Sequence, residues 1–108
     1  MTNETLETIK KRRSCRAYKP EQITDEELNA VLEAGTYAAS AMGRQSAKIV
    51  VVQDAATRAQ LTRMNAAVMG TNNDPMYAAP TILVVLADAN SKNAVQDGSL
   101  VMGNLMNA

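Results

Sequence analysis

The sequence predicts a mixed helix-and-strand domain, on three observations. A capped helix signature opens at Thr24, two β-branched apolar runs lie at residues 49–52 and 81–87, and an amphipathic pattern closes the chain over 93–108. With 108 residues the chain forms at most one small domain, residues 1–108, with a modest core.

The elements follow in order. Residues 5–12 read as a short helix with Leu6 and Ile9 on one face. Thr24-Asp25-Glu26-Glu27 has the form of a capping box, in which a Thr oxygen takes an orphan amide and a Glu reaches back. Behind it Leu28, Val31 and Leu32 repeat at helical spacing, and Gly35 is read as the stop. Residues 38–47 are small and polar and predict a loop. The run 49–52 is β-branched, the mark of a strand buried on both faces. Asp54 is placed to cap a third helix with Leu61, Met64 and Val68 as its inner stripe and Gly70 past its end. Residues 71–80 hold Asn, Asp and Pro and predict a loop, and 81–87 a second buried strand. The last helix, 93–108, carries Val95, Ser99, Met102 and Met106 along one side. Two strands joined through a helix suggest, by themselves, a right-handed parallel crossover.

Composition narrows the function. Formal net charge is zero, which argues against a polyanion-binding domain, and no nucleic-acid partner is expected. No apolar run approaches the ~18 residues that span a bilayer, and the first residues lack the apolar core of a signal peptide, so a cytoplasmic protein without a membrane partner is expected. There is no histidine and one cysteine, Cys15. No intrachain disulfide, no metal site and no catalytic side chain is therefore assigned.

Two stretches carry the remaining chemistry. Arg12, Arg13, Ser14 and Arg16 place three guanidinium groups and a hydroxyl within five residues, a set that suits a phosphate. A solvated basic helix end explains the same residues, and spacing alone favours it. Ala39-Ser40-Ala41-Met42-Gly43-Arg44-Gln45-Ser46 offers small residues that let a flat ligand approach the backbone, with Ser and Gln as hydrogen-bonding groups. A tight loop that merely needs small side chains explains the same residues, and the stretch by itself favours that reading. Cys15, set among arginines, reads as a small residue ahead of a redox thiol.

Taken in order, these stretches resemble the nitroreductase family. Arg12-Arg13-Ser14-Cys15-Arg16, followed by Tyr18 and Pro20, looks like the family's opening motif. Ile23, Glu26 and Leu28 match its next helix, and residues 39–45 resemble its P-S-x-x-N-x-Q segment before the first strand. Ala79-Pro80 leads into a similar second strand, and Asp97, Ser99, Leu100 and Asn104 resemble the start of its central helix. Three departures stand out: Ala39 in place of Pro, Gly43 in place of Asn, and Ser46-Ala47 in place of Pro-Trp.

The resemblance implies an α+β fold with a mostly antiparallel sheet flanked by helices, which replaces the parallel expectation. It implies an FMN cofactor at a homodimer interface, with Arg12, Arg13, Ser14 and Arg16 on the phosphate, ribityl chain and near ring edge. Ala39, Ser40, Ala41 and Gln45 would approach the flavin from the other subunit, and Asn65 would meet the pyrimidine edge, with Asn72 and Asn73 as substitutes. The implied activity is electron transfer from NAD(P)H to a small acceptor of nitroaromatic or quinone type, with the cofactor carrying the redox chemistry. A flavin- or ligand-binding dimer of the same fold without turnover is the alternative. The last residues stop inside an amphipathic pattern with no Gly cap, Pro or basic last turn. The chain is accordingly expected to be a truncated N-terminal portion of the family's domain, with weak FMN binding and little turnover by itself.

Overall fold

The computed structural model describes residues 1–108. Four helices and two strands follow one another: α1 (Glu4–Lys11), α2 (Asp25–Thr36), a 3-10 turn (Ala41–Gly43), β1 (Lys48–Val52), α3 (Ala55–Met69), β2 (Ile82–Leu86) and α4 (Ala94–Asn107). β1 and β2 pair as an antiparallel two-stranded sheet. The pairing direction shows at one end, where Gln53 Nε2, just past β1, donates to Thr81 Oγ1, just before β2, at 3.0 Å. The α+β, antiparallel reading therefore stands and the parallel crossover does not. The long 70–81 loop brings the chain back alongside β1 in the opposite sense. No helix is long and apolar enough to cross a membrane.

The chain divides into two compact units. One comprises Met1–Ser14, Asp25–Ile49 and Val85–Ala108, the other Cys15–Thr24 and Val50–Val84.

In the first unit α2 packs against α4. α2 starts at Asp25 directly after Thr24, with Asp25, Glu26 and Glu27 in the first turn where the helix dipole favours negative charge. It ends at Thr36, one residue beyond Gly35. Gly35 is buried, and a Cβ there would lie 2.8 Å from both Ile49 Cδ1 and Leu105 Cδ2. Gly35 is thus a close-approach position in the last turn of the helix. Asn104 on α4 donates its Nδ2 to Ala34 O at 2.8 Å, which ties the two helices at the same level. The side of α4 facing inward carries Asp97, Gly98, Val101 and Leu105. The predicted side does not: Val95 is 77% and Met106 56% exposed.

In the second unit α3 is closed at both ends as predicted. Asp54 accepts from the Thr57 amide at 2.8 Å, and Gly70 is left-handed (φ 66°), with its N–H reaching Ala66 and Ala67 carbonyls. Its inner stripe is Arg58, Leu61, Thr62, Asn65 and Ala66, all half-buried. Met64 and Val68 lie outside at 56% and 89% exposure, so the apolar stripe predicted from sequence is corrected. Polar residues choose this face because they have partners on it: Arg58 donates to Gln53 O and Ala79 O, and Thr62 to Asp74 Oδ1. Neither strand is buried on both faces, and only Ile82 within them is buried.

Asp74 organises the loop before β2. Its Oδ1 accepts from the Met76 amide at 2.8 Å and its Oδ2 from Ala78 at 2.7 Å. These bonds hold Tyr77 (φ 52°) and Ala78 (φ 54°) in the left-handed region that side chains avoid. Gln22 braces the far end of the loop by donating to Pro80 O at 2.8 Å. The Met76 amide first, then that of Ala78, holds the Asp74 carboxyl below the ordinary value of 3.8. A lowered folded value stabilises the fold above the unfolded value, and the gain disappears as pH falls through the folded one. Acidification below about pH 4 is therefore expected to loosen this loop. Amide exchange of Met76 and Ala78 checks it. An Asp74→Asn chain should lack the acid step, and an equal step in both chains would assign the effect elsewhere, Asp54 being the other carboxyl held low, by Thr57.

Candidate functional site

The small-residue segment after α2 is a built loop. Tyr37 and Ala38 amides continue the end of α2 by reaching Ala34 O and Gly35 O, each at 3.3 Å. Ser40 is extended (φ −140°, ψ 155°), and the turn that follows closes with Gly43 N to Ser40 O and Arg44 N to Ala41 O. Met42 (φ 55°), Gly43 (φ 64°) and Gln45 (φ 49°) are all left-handed. For the two that are not glycine this costs about 1–2 kcal/mol each, so the loop persists only because other contacts determine it.

Three bonds do so. The Gln45 amide donates to Ser40 Oγ at 2.9 Å, and Gln45 Nε2 donates to Thr36 O at 2.8 Å. The Ala41 amide donates to Asp97 Oδ1 at 2.9 Å from a position 56 residues away. Behind the loop lies a cavity of about 390 Å³, lined mainly by apolar groups such as Leu32, Ile49 and Val101, with Ser40, Gln45 and Asp97 at its polar side. Of the loop residues singled out in the sequence, Ser40 and Gln45 border this cavity, Ala39 is exposed and Ala41 half-buried.

The arginines do not line that cavity. α1 runs out at Lys11, and Arg13 Nη1 donates to Lys10 O (2.7 Å) and Arg12 O (2.8 Å). Arg13 thus satisfies carbonyls left orphaned by the helix end, as the solvated-helix-end reading requires. Arg12 and Arg16 differ from it. Both are exposed, and neither guanidinium holds a partner within the chain, so both remain available to an anion. Ser14 is exposed between them in sequence. Cys15 donates its thiol to Ala17 O at 3.1 Å, and Tyr18 OH donates to Cys15 O at 3.0 Å.

Asn65 sits on the inner stripe of α3 and donates Nδ2 to Leu61 O at 2.8 Å, which leaves its amide oxygen as the free group. Asn73 is fixed in a turn, its amide bonded to Thr71 Oγ1. Sequence reasoning did not assign Asp97 to the site. Its signal was a carboxylate in the first turn of a helix whose burial no local pattern reveals.

The same α+β fold recurs in solved structures. The FMN-bound nitroreductase of Bacteroides fragilis NCTC 9343 is 32% identical, with a TM-score of 0.87 over 98% of this chain. That of Desulfitobacterium hafniense DCB-2, also FMN-bound, is 29% identical with a TM-score of 0.88 over 99%. An FMN-dependent nitroreductase of Clostridium difficile R20291 is 31% identical with a TM-score of 0.83 over 97%. The chain spans 64%, 64% and 54% of those three proteins. No curated protein sequence matches it. Residues 9–74, more than half of the chain, match the nitroreductase family. The chain belongs to the nitroreductase family.

Proposed function

We propose that this chain serves an FMN-dependent oxidoreductase that passes electrons from NAD(P)H to a small acceptor of nitroaromatic or quinone type. Family membership supports the reaction class. The observation that carries the cofactor is the pair of exposed, unpartnered guanidiniums of Arg12 and Arg16, with Ser14 between them in sequence. A phosphate needs cationic forks not already engaged, and this donor set fits it. Arg12, Ser14 and Arg16 would hold the phosphate and ribityl end. Arg13 contributes by fixing the helix end that presents them. Ala39, Ser40, Ala41 and Gln45 form a wall without bulky side chains, open to a flat ring, and Asn65 offers its amide oxygen to a ring N–H. FMN, when bound, supplies the two-electron chemistry. The protein's residues bind, orient and exclude water.

The same reading makes the working form a homodimer in the cytoplasm. Its support is the exposed outer side of α4 with Val95, Met102 and Met106.

The test is a titration of the chain with FMN, followed by flavin fluorescence and absorbance, with light scattering on the same samples. NADH and NADPH oxidation with menadione or a nitroaromatic follows. Weak but saturable binding by a dimer, with only slow acceptor-dependent oxidation by this chain alone, is the expected result. Saturable binding without oxidation leaves a flavin-binding protein of this fold. No binding at all overturns the cofactor reading.

A further inference from the structure

We propose that Asp97 is the positioning residue of the 40–45 loop, holding it in the shape in which it meets the flavin. The proposal rests on the flavin reading above. Asp97 is 4% exposed, the most buried polar side chain of the chain. A buried carboxylate is costly unless it accepts hydrogen bonds. It also borders a cavity whose other walls are largely apolar, where an apolar side chain of similar size would cost less. The bond that accounts for its presence is the one from the Ala41 amide at 2.9 Å.

The location of that bond decides its consequence. Ala41 opens the 3-10 turn, so its amide has no partner within the turn itself. It stands between Ser40, which is extended, and Met42, which is left-handed and exposed. Gln45 has its own two restraints, to Ser40 Oγ and Thr36 O. For the strained half around Met42 the side-chain tether is Asp97. The carboxylate sits in the first turn of α4, where the helix dipole favours its charge, and α4 is fixed to α2 through Asn104 and Ala34. Asp97 therefore transmits a rigid helix pair to a loop that would otherwise relax out of its left-handed conformation. It acts through the loop and need not touch the ligand.

The experiment compares the parent with Asp97→Ala, Asp97→Asn and Arg12→Ala. Amide exchange at residues 41–45 reads the loop, and FMN affinity reads the site. Asp97→Ala is expected to raise exchange at Ala41 and weaken FMN binding about tenfold, while amides in the middle of α2 and α4 keep their protection. Asp97→Asn keeps an acceptor oxygen and should restore both to within about threefold. Arg12→Ala should weaken FMN without changing exchange at Ala41. Should Asp97→Ala not fold, Ala41→Pro removes the same bond from the loop side, and the extended Ser40 backbone accepts a following proline. Faster exchange at Ala41 with unchanged FMN affinity overturns the proposal. So does unchanged exchange in Asp97→Ala, or an Asp97→Asn chain as weak as Asp97→Ala. A parent chain that binds no FMN defeats the flavin reading instead, and is told apart because the exchange comparison still reads the tether.

Discussion

Arg12→Ala and Arg16→Ala are each expected to weaken FMN binding by one to two powers of ten while leaving thermal stability unchanged. A hydrogen bond to a charged group contributes about 1.5–3 kcal/mol, and each 1.4 kcal/mol is tenfold in affinity. Stability should not follow, because both side chains are exposed and neither is bonded within the chain. Arg12 closes α1 through its backbone N–H to Thr8 O, a bond that alanine keeps. Arg13 is the internal contrast. Its guanidinium is engaged by Lys10 O and Arg12 O, so Arg13→Ala should fray the end of α1 and affect FMN only through that fraying. The affinities should also fall with added salt, as expected for exposed charges on a phosphate. FMN fluorescence titration of the three variants settles the ranking. Equal affinity in Arg12→Ala, Arg16→Ala and the parent removes these arginines from the site.

What the sequence disclosed was set by how local the cause is. The caps around α3 are two residues acting on their own helix end, so Asp54 and Gly70 were readable directly. The β-branched runs were readable as strands for the same reason, but their direction was not. It depends on how a long loop organised by Asp74 returns the chain, and the family resemblance supplied it. Inner faces were misread where polar residues define them. On α3 the stripe follows Arg58, Thr62 and Asn65, and on α4 it follows Asp97 and Asn104, each with a hydrogen-bond partner. A search for apolar periodicity selects Met64, Val68, Val95 and Met106 instead, and these lie outside. The same cause hid the loop's tether. Ser40 and Gln45 are visible in one short segment, whereas Asp97 joins them only after the chain has folded back over 56 residues. Glycine commonly ends helices, so Gly35 reads as a candidate stop and α2 does end one residue later, but only tertiary packing shows that the glycine is there for lack of a side chain.

Gly35→Val is expected to lower the stability of the chain by about 3 kcal/mol, roughly a 10–20 °C fall in Tm for a domain of this size. Two effects compete at this position. Replacing a helical glycine by alanine favours the helix by about 1 kcal/mol, and valine keeps only part of that gain. Against it stands the packing. The first added carbon already meets Ile49 Cδ1 and Leu105 Cδ2 at 2.8 Å and Leu105 Cγ at 3.3 Å, inside normal contact. The chain ends of Ile49 and Leu105 can turn aside for one methyl, so Gly35→Ala should cost little. Valine adds two more methyls at the same place and is stiff about χ1, so α2 and α4 must move apart and strain the Asn104 bond to Ala34 O. Gly98→Ala supplies the opposite sign from the same unit. Its new methyl would lie 3.6 Å from Ala87 Cβ and 3.9 Å from Val85 Cγ1, ordinary contact, so the helix preference prevails and stability should rise by about 1 kcal/mol. Thermal melts of the three variants beside the parent give the order Gly98→Ala, then parent and Gly35→Ala close together, then Gly35→Val. A Gly35→Val chain that melts with the parent would mean that the α2–α4 contact is looser than these distances require.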